Sequence, residues 1–193
     1  MHQELMRCIL SRRSIRRFAE EQIDAGHLDA ILEAAIWAPS GGNNQTWLFT
    51  AVQRKDVLTK INETLRQGFL TWTPDDEYPS KKKAIVNAQN EKYNYLHHAP
   101  TLVIASNVPH YQNGMADCAT ALQNIFLAAT SLGLGSCWIN QLRWLTNDPP
   151  PRKLLASIGL PEHHIIYGAA AVGHPAHTPP APKRKEGTVN IVR

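Results

Sequence analysis

The segment from residue 11 to residue 18, S-R-R-S-I-R-R-F, places four arginine and two serine side chains close together. Guanidinium groups at this density repel one another unless a phosphate or a carboxylate neutralises them. Arginine binds phosphate through two hydrogen bonds, and a serine hydroxyl adds another donor. A run of like charges is also typical of a solvated turn, or of a patch for acidic lipids or nucleic acid. The segment therefore predicts either a phosphate clamp or a solvated basic turn.

Three further segments carry side chains or backbone groups that could bind a ligand. Residues 38–47, A-P-S-G-G-N-N-Q-T-W, combine amides and glycines in what is also ordinary turn chemistry. Residues 133–141, G-L-G-S-C-W-I-N-Q, lack the third glycine of a dinucleotide-binding turn and follow a predicted helix. Residues 183–185, K-R-K, are typical of a solvated tail.

The hydrophobic spacing predicts helices that alternate with short strands. Asp24 is a plausible N-cap for a helix that Pro39 ends, and Asp56 is predicted to cap the next helix. Further helices are predicted over 3–12, 80–95 and 115–132, with a short one opened by Pro150 and Pro151. Strands are predicted over 48–52, 100–106, 137–139 and 165–172. With no internal repeat, this order favours an α/β or α+β sandwich.

Residues 68–98 differ from this pattern because aromatic and charged residues alternate there. We expect an irregular excursion of the kind that forms lids or interaction arms. Four aromatic residues could face a substrate or simply pack the arm: Trp72, Tyr78, Tyr93 and Tyr95. The acidic residues 75–77 beside lysines 81–83 could contact a nicotinamide dinucleotide or only solvent.

Composition excludes several classes of protein. With 193 residues, 43% hydrophobic and 19% charged, the chain suits one folded domain. Three cysteines without CxxC spacing favour a reducing compartment, and no apolar stretch approaches a membrane span, so a cytoplasmic location is predicted. Nine histidines without HExxH spacing give no metal site, and no GxSxG elbow is present. Asp117 could be catalytic or structural.

Taken together, these motifs resemble the nitroreductase family. The pattern R-R-S-x-R-x-F matches residues 12–18, and P-S-x-x-N-x-Q-P-W matches residues 39–47, except that Thr46 stands where the family usually has proline. The alanine-rich helix, the turn at 133–140 and the basic tail follow in the family's order.

The resemblance implies a single domain over residues 1–193, with an excursion or lid at about 68–98. The implied fold is an α+β three-layer sandwich, a central and mostly antiparallel sheet flanked by helices. Two subunits would interlock as a homodimer, with helix 115–132 at the seam. Two FMN sites would lie at that interface, each built from both chains.

The resemblance also implies the residues that bind FMN. Arg12 and Ser14, with Arg13 beside them, would hold the phosphate and ribityl chain, and Arg16 would lie near the N1/O2 edge of the flavin. The remaining positions would line the ring, face N5 or reach the phosphate from the tail: Pro39, Ser40, Gly41, Asn43 and Gln45; Gly135, Asn140 and Gln141; and Lys183, Arg184 and Lys185. For the tail, the i, i+2 spacing favours Lys183 and Lys185, with Arg184 as the competitor.

The implied activity is electron transfer from NAD(P)H through FMN to a nitroaromatic, a quinone or a similar acceptor, by a ping-pong mechanism. No side-chain base, metal, nucleic acid or membrane partner is expected. Three alternatives stay open: a specialised dehydrogenase, dehalogenase or flavin-degrading enzyme; a non-catalytic flavin sensor; and a nucleic-acid-binding module that uses the arginines.

Overall fold

A computed structural model describes residues 2–73 and 79–193, and four of its strands form one antiparallel sheet. The strands are β1 (Trp47–Val52), β2 (Thr101–Asn107), β3 (Gly135–Ile139) and β4 (Ile165–Gly173), in the spatial order β1-β2-β4-β3. All three strand pairs are antiparallel. The predicted strands are confirmed, with ends that shift by one or two residues.

The sheet is buried on both faces, so its central strands are mostly apolar, with the polar Thr101, Ser106 and Asn107 at the two ends of β2. Successive side chains of a strand point to opposite faces. In β2, Leu102 and Ile104 join one core cluster, while Val103 and Ala105 join the other. This arrangement is the predicted three-layer sandwich.

Helices cover the two faces in separate groups. Helices α2 (Ala25–Ile36) and α5 (Gly114–Ser131) pack on each other and on the sheet, next to α1 (His2–Ser11). The other face is covered by α3 (Lys55–Leu70), α4 (Pro79–Ala88) and α7 (Pro149–Ser157), and a short α6 (Gln141–Trp144) follows β3. Asp24 caps α2 as predicted, because its side chain accepts a hydrogen bond from His27 N at 2.8 Å.

Two predicted helix boundaries are wrong. Arg54, not Asp56, is the N-cap residue of α3, and Asp56 lies in the first turn, where it pairs with Arg54 at 2.6 Å. Helix α4 ends at Ala88 rather than Tyr95. The side chain of Asn94 accepts hydrogen bonds from two backbone N–H groups further along, which favours turns over a continuing helix.

The described part of the 68–98 excursion packs against the core. Phe69 contacts Trp72 and Tyr95, each with a centroid separation of 5.2 Å, and Tyr93 packs on Tyr95. The Tyr95 hydroxyl donates to Ala84 O at 2.7 Å, and burial raises the pKa of this phenol to about 12. Of the two interpretations for these aromatics, arm packing therefore holds for Trp72, Tyr93 and Tyr95. The predictions for Tyr78 and for residues 75–77 lie outside the described residues.

Candidate functional site

The arginine segment (residues 11–18) leads into a stretch of chain that crosses one edge of the sheet, past the ends of three strands. Ile15 N donates to Ser136 O at 2.9 Å in β3, and Ala19 N donates to His174 O at 2.9 Å beyond β4. Gln22 then donates through Nε2 to Pro100 O at 2.8 Å, beside the start of β2. These backbone attachments hold the arginines at a fixed position beside the start of β3.

The arginine side chains of this segment have no acidic partner among the described residues. Within residues 2–73 and 79–193, no carboxylate forms an ion pair with Arg12, Arg13, Arg16 or Arg17. Arg13 nevertheless makes its own contacts, because its Nη1 donates to Leu10 O at 2.7 Å and to Arg12 O at 2.8 Å, at the end of α1. Arg16 makes only one long hydrogen bond, from Nη1 to Ser14 O at 3.5 Å. Of the predicted arginines, Arg12 and Arg16 are thus the ones that remain available to an anionic ligand.

Two buried groups feel the charges of these arginines. Burial raises the pKa of the Cys137 thiol in β3, and Arg16 and Arg12 oppose that rise. Burial lowers the pKa of His97 to about 4, and Arg16 and His98 add to the shift. Arg16 therefore lies between β3 and the turn that precedes β2.

That turn has an unusual backbone. Both His97 and His98 have a φ of 57°, in the left-handed region that non-glycine residues rarely adopt. Asn94 Oδ1 accepts from Leu96 N at 2.9 Å and from His98 N at 3.0 Å, which stabilises the conformation.

Gly135 permits a close approach, but the group that approaches is Ile15. A Cβ atom at Gly135 would lie 2.7 Å from Ile15 Cγ1. The first glycine of β3 therefore seats the arginine segment against the sheet. The neighbouring Ser136 Oγ is buried and has no hydrogen-bond partner among the described residues.

The other predicted motif, the amide loop (residues 39–45), forms a short 3-10 turn before β1. Gly42, Asn43 and Gln45 have φ values of 60°, 53° and 50°, all left-handed. Gln45 N donates to Ser40 Oγ at 3.1 Å, and Gln45 Nε2 donates to Asn43 Oδ1 at 2.9 Å. Pro39 and Asn43 are exposed, and Ser40 and Gly41 are half-buried.

The amide loop is held by residues that the sequence motifs did not identify. Asp117, 4% exposed, accepts from Gly41 N at 3.1 Å, and Tyr111 donates its hydroxyl to Gly41 O at 2.8 Å. Thr120 Oγ1 donates to Pro39 O at 3.3 Å. A Cβ atom at Gly41 would lie 2.1 Å from Asn113 Nδ2, so any side chain there would displace the Asn113 amide. Of the two roles predicted for Asp117, catalytic and structural, these contacts favour the structural one.

The predicted residues after β3 lie at the end of that strand away from the arginine segment. Asn140 is the N-cap residue of α6 and is exposed, and Gln141 is half-buried. Asn140 Oδ1 accepts a hydrogen bond from Trp138 Nε1 at 2.6 Å. Ser136, which pairs with the arginine segment, lies four residues before Asn140, so the strand separates Asn140 from that segment by about 13 Å.

The remaining features are the basic tail and two cavities. Lys183, Arg184 and Lys185 are exposed and lie outside any helix or strand. Arg17 O accepts from Ala176 N at 2.9 Å, and a cavity of about 280 Å³ next to it is lined by Ser14, Arg16, Arg17, His177 and Pro179. A separate cavity of about 430 Å³, near Gln22, Lys55 and His98, contains none of the predicted site residues.

Within one chain, the amide loop and the arginine segment lie at opposite corners of the sheet. Trp47 of β1 is opposite Asn107, near the start of β4, whereas Gly135 of β3 is opposite Gly173, at the end of β4. The intervening length of β4 corresponds to about 27 Å, and three strand spacings add about 14 Å across the sheet. A single chain does not bring the two motifs together.

Comparisons with known proteins support the family resemblance that the sequence motifs indicate. A sequence profile described as "Nitroreductase family" matches residues 9–174. The chain belongs to the nitroreductase family. A curated family relative from Archaeoglobus fulgidus, "Putative NADH dehydrogenase/NAD(P)H nitroreductase", is 31% identical over 90% of this chain and 86% of its own.

A solved structure and a second relative are both named for FMN. A crystal structure of a nitroreductase with bound FMN from Bacteroides fragilis is 43% identical, with a TM-score of 0.91, and covers 98% of this chain and 99% of its own. "FMN reductase [NAD(P)H]" from Bacillus subtilis is 29% identical over 90% of this chain and 66% of its own. The predicted family and α+β fold are confirmed.

Two structural findings bear on the expected partners. Among the described residues, no cluster of three or more His, Cys, Asp or Glu could hold a metal ion. None of the described helices is long and apolar enough to cross a membrane.

Proposed function

We propose that this protein is an FMN-dependent oxidoreductase that takes electrons from NAD(P)H. The observation that carries the proposal is the arginine segment, where Arg12 and Arg16 lack a carboxylate partner among the described residues and are anchored to β3. The 43% identical nitroreductase with bound FMN supports the choice of ligand, and the relatives named for NAD(P)H support the reductant.

The residues present fit an elongated ligand with an anionic end. Arg12 and Ser14 supply phosphate donors at one end of β3. Asn140 and Gln141, at the other end, supply amide and backbone groups for a ring. The separation of about 13 Å between these groups suits a phosphate joined to a ring by a flexible chain.

Each group of residues has its own task in this proposal. Bound FMN supplies the hydride and electron chemistry. Arg12 and Ser14 hold the phosphate, and Arg16 places a positive charge where reduction builds up negative charge. From the basic tail, Lys183 and Lys185 reach the same phosphate, with Arg184 as the competitor. Gly135 lets the arginine segment lie close to β3, and we expect no side-chain base to be essential.

The proposed site requires a homodimer. Because the amide loop and the arginine segment lie at opposite corners of one sheet, a ring that contacts both must take them from two chains. Apolar side chains are exposed in α1 and at the end of α2, where Leu10 and Trp37 are 67% and 78% exposed. A cavity of about 490 Å³ between α1, α2 and α5 is lined by Leu5, Trp37 and Leu127, among others. A second copy would bury these surfaces, with α5 at the seam as the resemblance implies.

We further propose electron-poor acceptors, such as nitroaromatics or quinones, in a ping-pong sequence. The reductant would bind and leave, and the acceptor would then occupy the same space. Specialised dehydrogenation, dehalogenation or flavin breakdown shares these motifs, so only a panel of substrates distinguishes them. A cytoplasmic location stays a prediction from the cysteine pattern.

The first test is the visible absorption spectrum of protein that has been saturated with FMN and desalted, before and after anaerobic NADH or NADPH. We expect a retained flavin spectrum that bleaches with the nicotinamide and returns when a quinone or nitro compound is added. A flavin that stays oxidised would favour the sensor alternative. Failure to bind FMN at all would overturn the proposal, and polyanion binding would then favour the nucleic-acid alternative.

A further inference from the structure

The side-chain amide of Asn140 has a fixed orientation. Trp138 Nε1 donates to Asn140 Oδ1 at 2.6 Å, a short hydrogen bond. An indole N–H can only donate, so the atom of the amide that faces it must be the oxygen. The Nδ2 group of Asn140 therefore points away from Trp138.

Trp138 itself is held firmly enough to impose this orientation. Its indole lies against Gly168 of β4, where a Cβ atom would be 2.7 Å from Trp138 Cζ2. Phe126 of α5 contacts the other part of the ring system, with a centroid separation of 6.1 Å. The strand, the helix and the glycine notch together fix the indole.

Asn140 does not use its side chain in the usual way for its position. Asparagine is a preferred N-cap residue because its side-chain oxygen accepts from the first turn of the helix. Asn140 is the N-cap residue of α6, but it makes no such bond. In the part of the chain that the structure describes, Nδ2 makes no hydrogen bond, and the residue is exposed.

We propose that Trp138 is a positioning residue that presents the two N–H donors of Asn140 Nδ2 to the ligand at this end of β3. This inference rests on the proposed function, in which that ligand is the flavin ring. The donors would stabilise the negative charge that the ring gains on reduction, and Trp138 would prevent the amide from turning its oxygen to the ring instead.

Isosteric substitutions separate the two roles. Asn140→Asp keeps an oxygen for Trp138 but replaces the donors with a second oxygen, so FMN affinity should fall about tenfold and the midpoint potential should become more negative. Trp138→Phe keeps a ring against Gly168 but lets the Asn140 amide rotate. FMN affinity should therefore fall about threefold, and the midpoint potential should again become more negative. The control is Trp144→Phe, which removes a half-buried indole from α6. It should change neither the FMN affinity nor the midpoint potential.

The measurements are FMN titration of the apoprotein and the midpoint potential by dye equilibration. If Trp138 acts through Asn140, the double variant should match Asn140→Asp alone. Wild-type affinity and potential in both single variants, with FMN bound by the parent, would overturn the inference. A parent that binds no FMN would instead overturn the proposed function. Asn140→Asp leaves the indole notch intact, so it tests the donors even if Trp138→Phe does not fold.

Discussion

The arginine segment and the amide loop form the two halves of the candidate site, and the protein builds them in opposite ways. In the arginine segment, backbone hydrogen bonds to Ser136 of β3 and to His174 beyond β4 fix the chain, and the cationic side chains of Arg12 and Arg16 have no carboxylate partner among the described residues. In the amide loop, buried and half-buried side chains fix the chain, and Asp117 and Tyr111 bind both polar groups of the Gly41 backbone. The first half offers charge, whereas the second offers a backbone shape.

This difference predicts that the two halves fail differently when they are mutated. Removal of an arginine should cost ligand affinity and leave the fold intact. Removal of a buried side chain that holds the amide loop should lower the free energy of unfolding. It should weaken ligand binding only because the loop loses its shape.

The largest expected effect on the ligand comes from Arg12→Ala. The variant loses a charge-assisted contact with the phosphate, so we expect FMN affinity to fall about 100-fold. The free energy of unfolding of the apoprotein should change by about 0.5 kcal/mol or less, as is usual for surface positions. FMN titration and urea denaturation measure the two quantities.

Arg54→Ala is the control, because Arg54 is an arginine outside the arginine segment that pairs with Asp56. Its FMN affinity should equal that of the parent. Equal FMN retention by Arg12→Ala and the parent would remove the phosphate assignment from Arg12.

Asp117→Ala should show the opposite pattern. The substitution leaves the half-buried Gly41 N–H without its acceptor, so the free energy of unfolding should fall by about 2 kcal/mol. Asp117→Asn keeps one oxygen acceptor and should lose about half as much. Urea denaturation of the apoproteins provides the comparison. If Asp117→Ala left stability unchanged but abolished turnover, Asp117 would be catalytic rather than structural.

A pH titration of stability tests the surroundings of Arg16. Folded His97 takes up a proton only near pH 4, whereas its ordinary pKa is 6.5. Between these values unfolding binds a proton, so stability should fall as the pH drops below about 6.5. In His97→Gln the loss between pH 7 and pH 5 should be smaller, as measured by thermal unfolding.

Part of the pH dependence should persist in that variant. Burial also lowers the pKa of His164, with smaller contributions from His163 and Arg152, so His164 acts in the same direction. Parallel curves for the parent and His97→Gln would show that His97 is not held neutral beside Arg16.

The contrast between the two halves also explains what the sequence could predict. Sequence patterns predicted an element correctly where neighbouring residues determine it. The apolar run of β2, the i, i+3, i+4 spacing of α2 and the Asp24 cap depend on neighbours within a few residues. The arginine segment was proposed from its composition, because four arginines within eight residues require an anionic partner or solvent; its role as a phosphate site stays a prediction.

Where a feature depends on residues far apart in the sequence, the sequence patterns gave no prediction or a different one. Asp117 reaches Gly41 across 76 positions, and no spacing rule connects them. Ile15 fills the space at Gly135, so that glycine serves packing where the motif suggested a ligand. Arg13 belongs to the predicted motif but binds the end of α1. Each of these outcomes depends on which elements the fold brings together.

The smallest expected effects lie in the basic tail, where the register of the phosphate contact is open. Exposed charges contribute about 0.2–1 kcal/mol each, so single alanine substitutions at Lys183, Arg184 and Lys185 should weaken FMN binding about fivefold at most. In an extended chain, residues two apart point to the same side. Lys183→Ala and Lys185→Ala should therefore resemble each other and differ from Arg184→Ala, and added salt should reduce every difference because it screens exposed charges. Three equal losses would mean that the tail acts as a diffuse positive charge. A larger loss for Arg184→Ala alone would reverse the register, and the tail would then add one guanidinium to the charge that the arginine segment supplies.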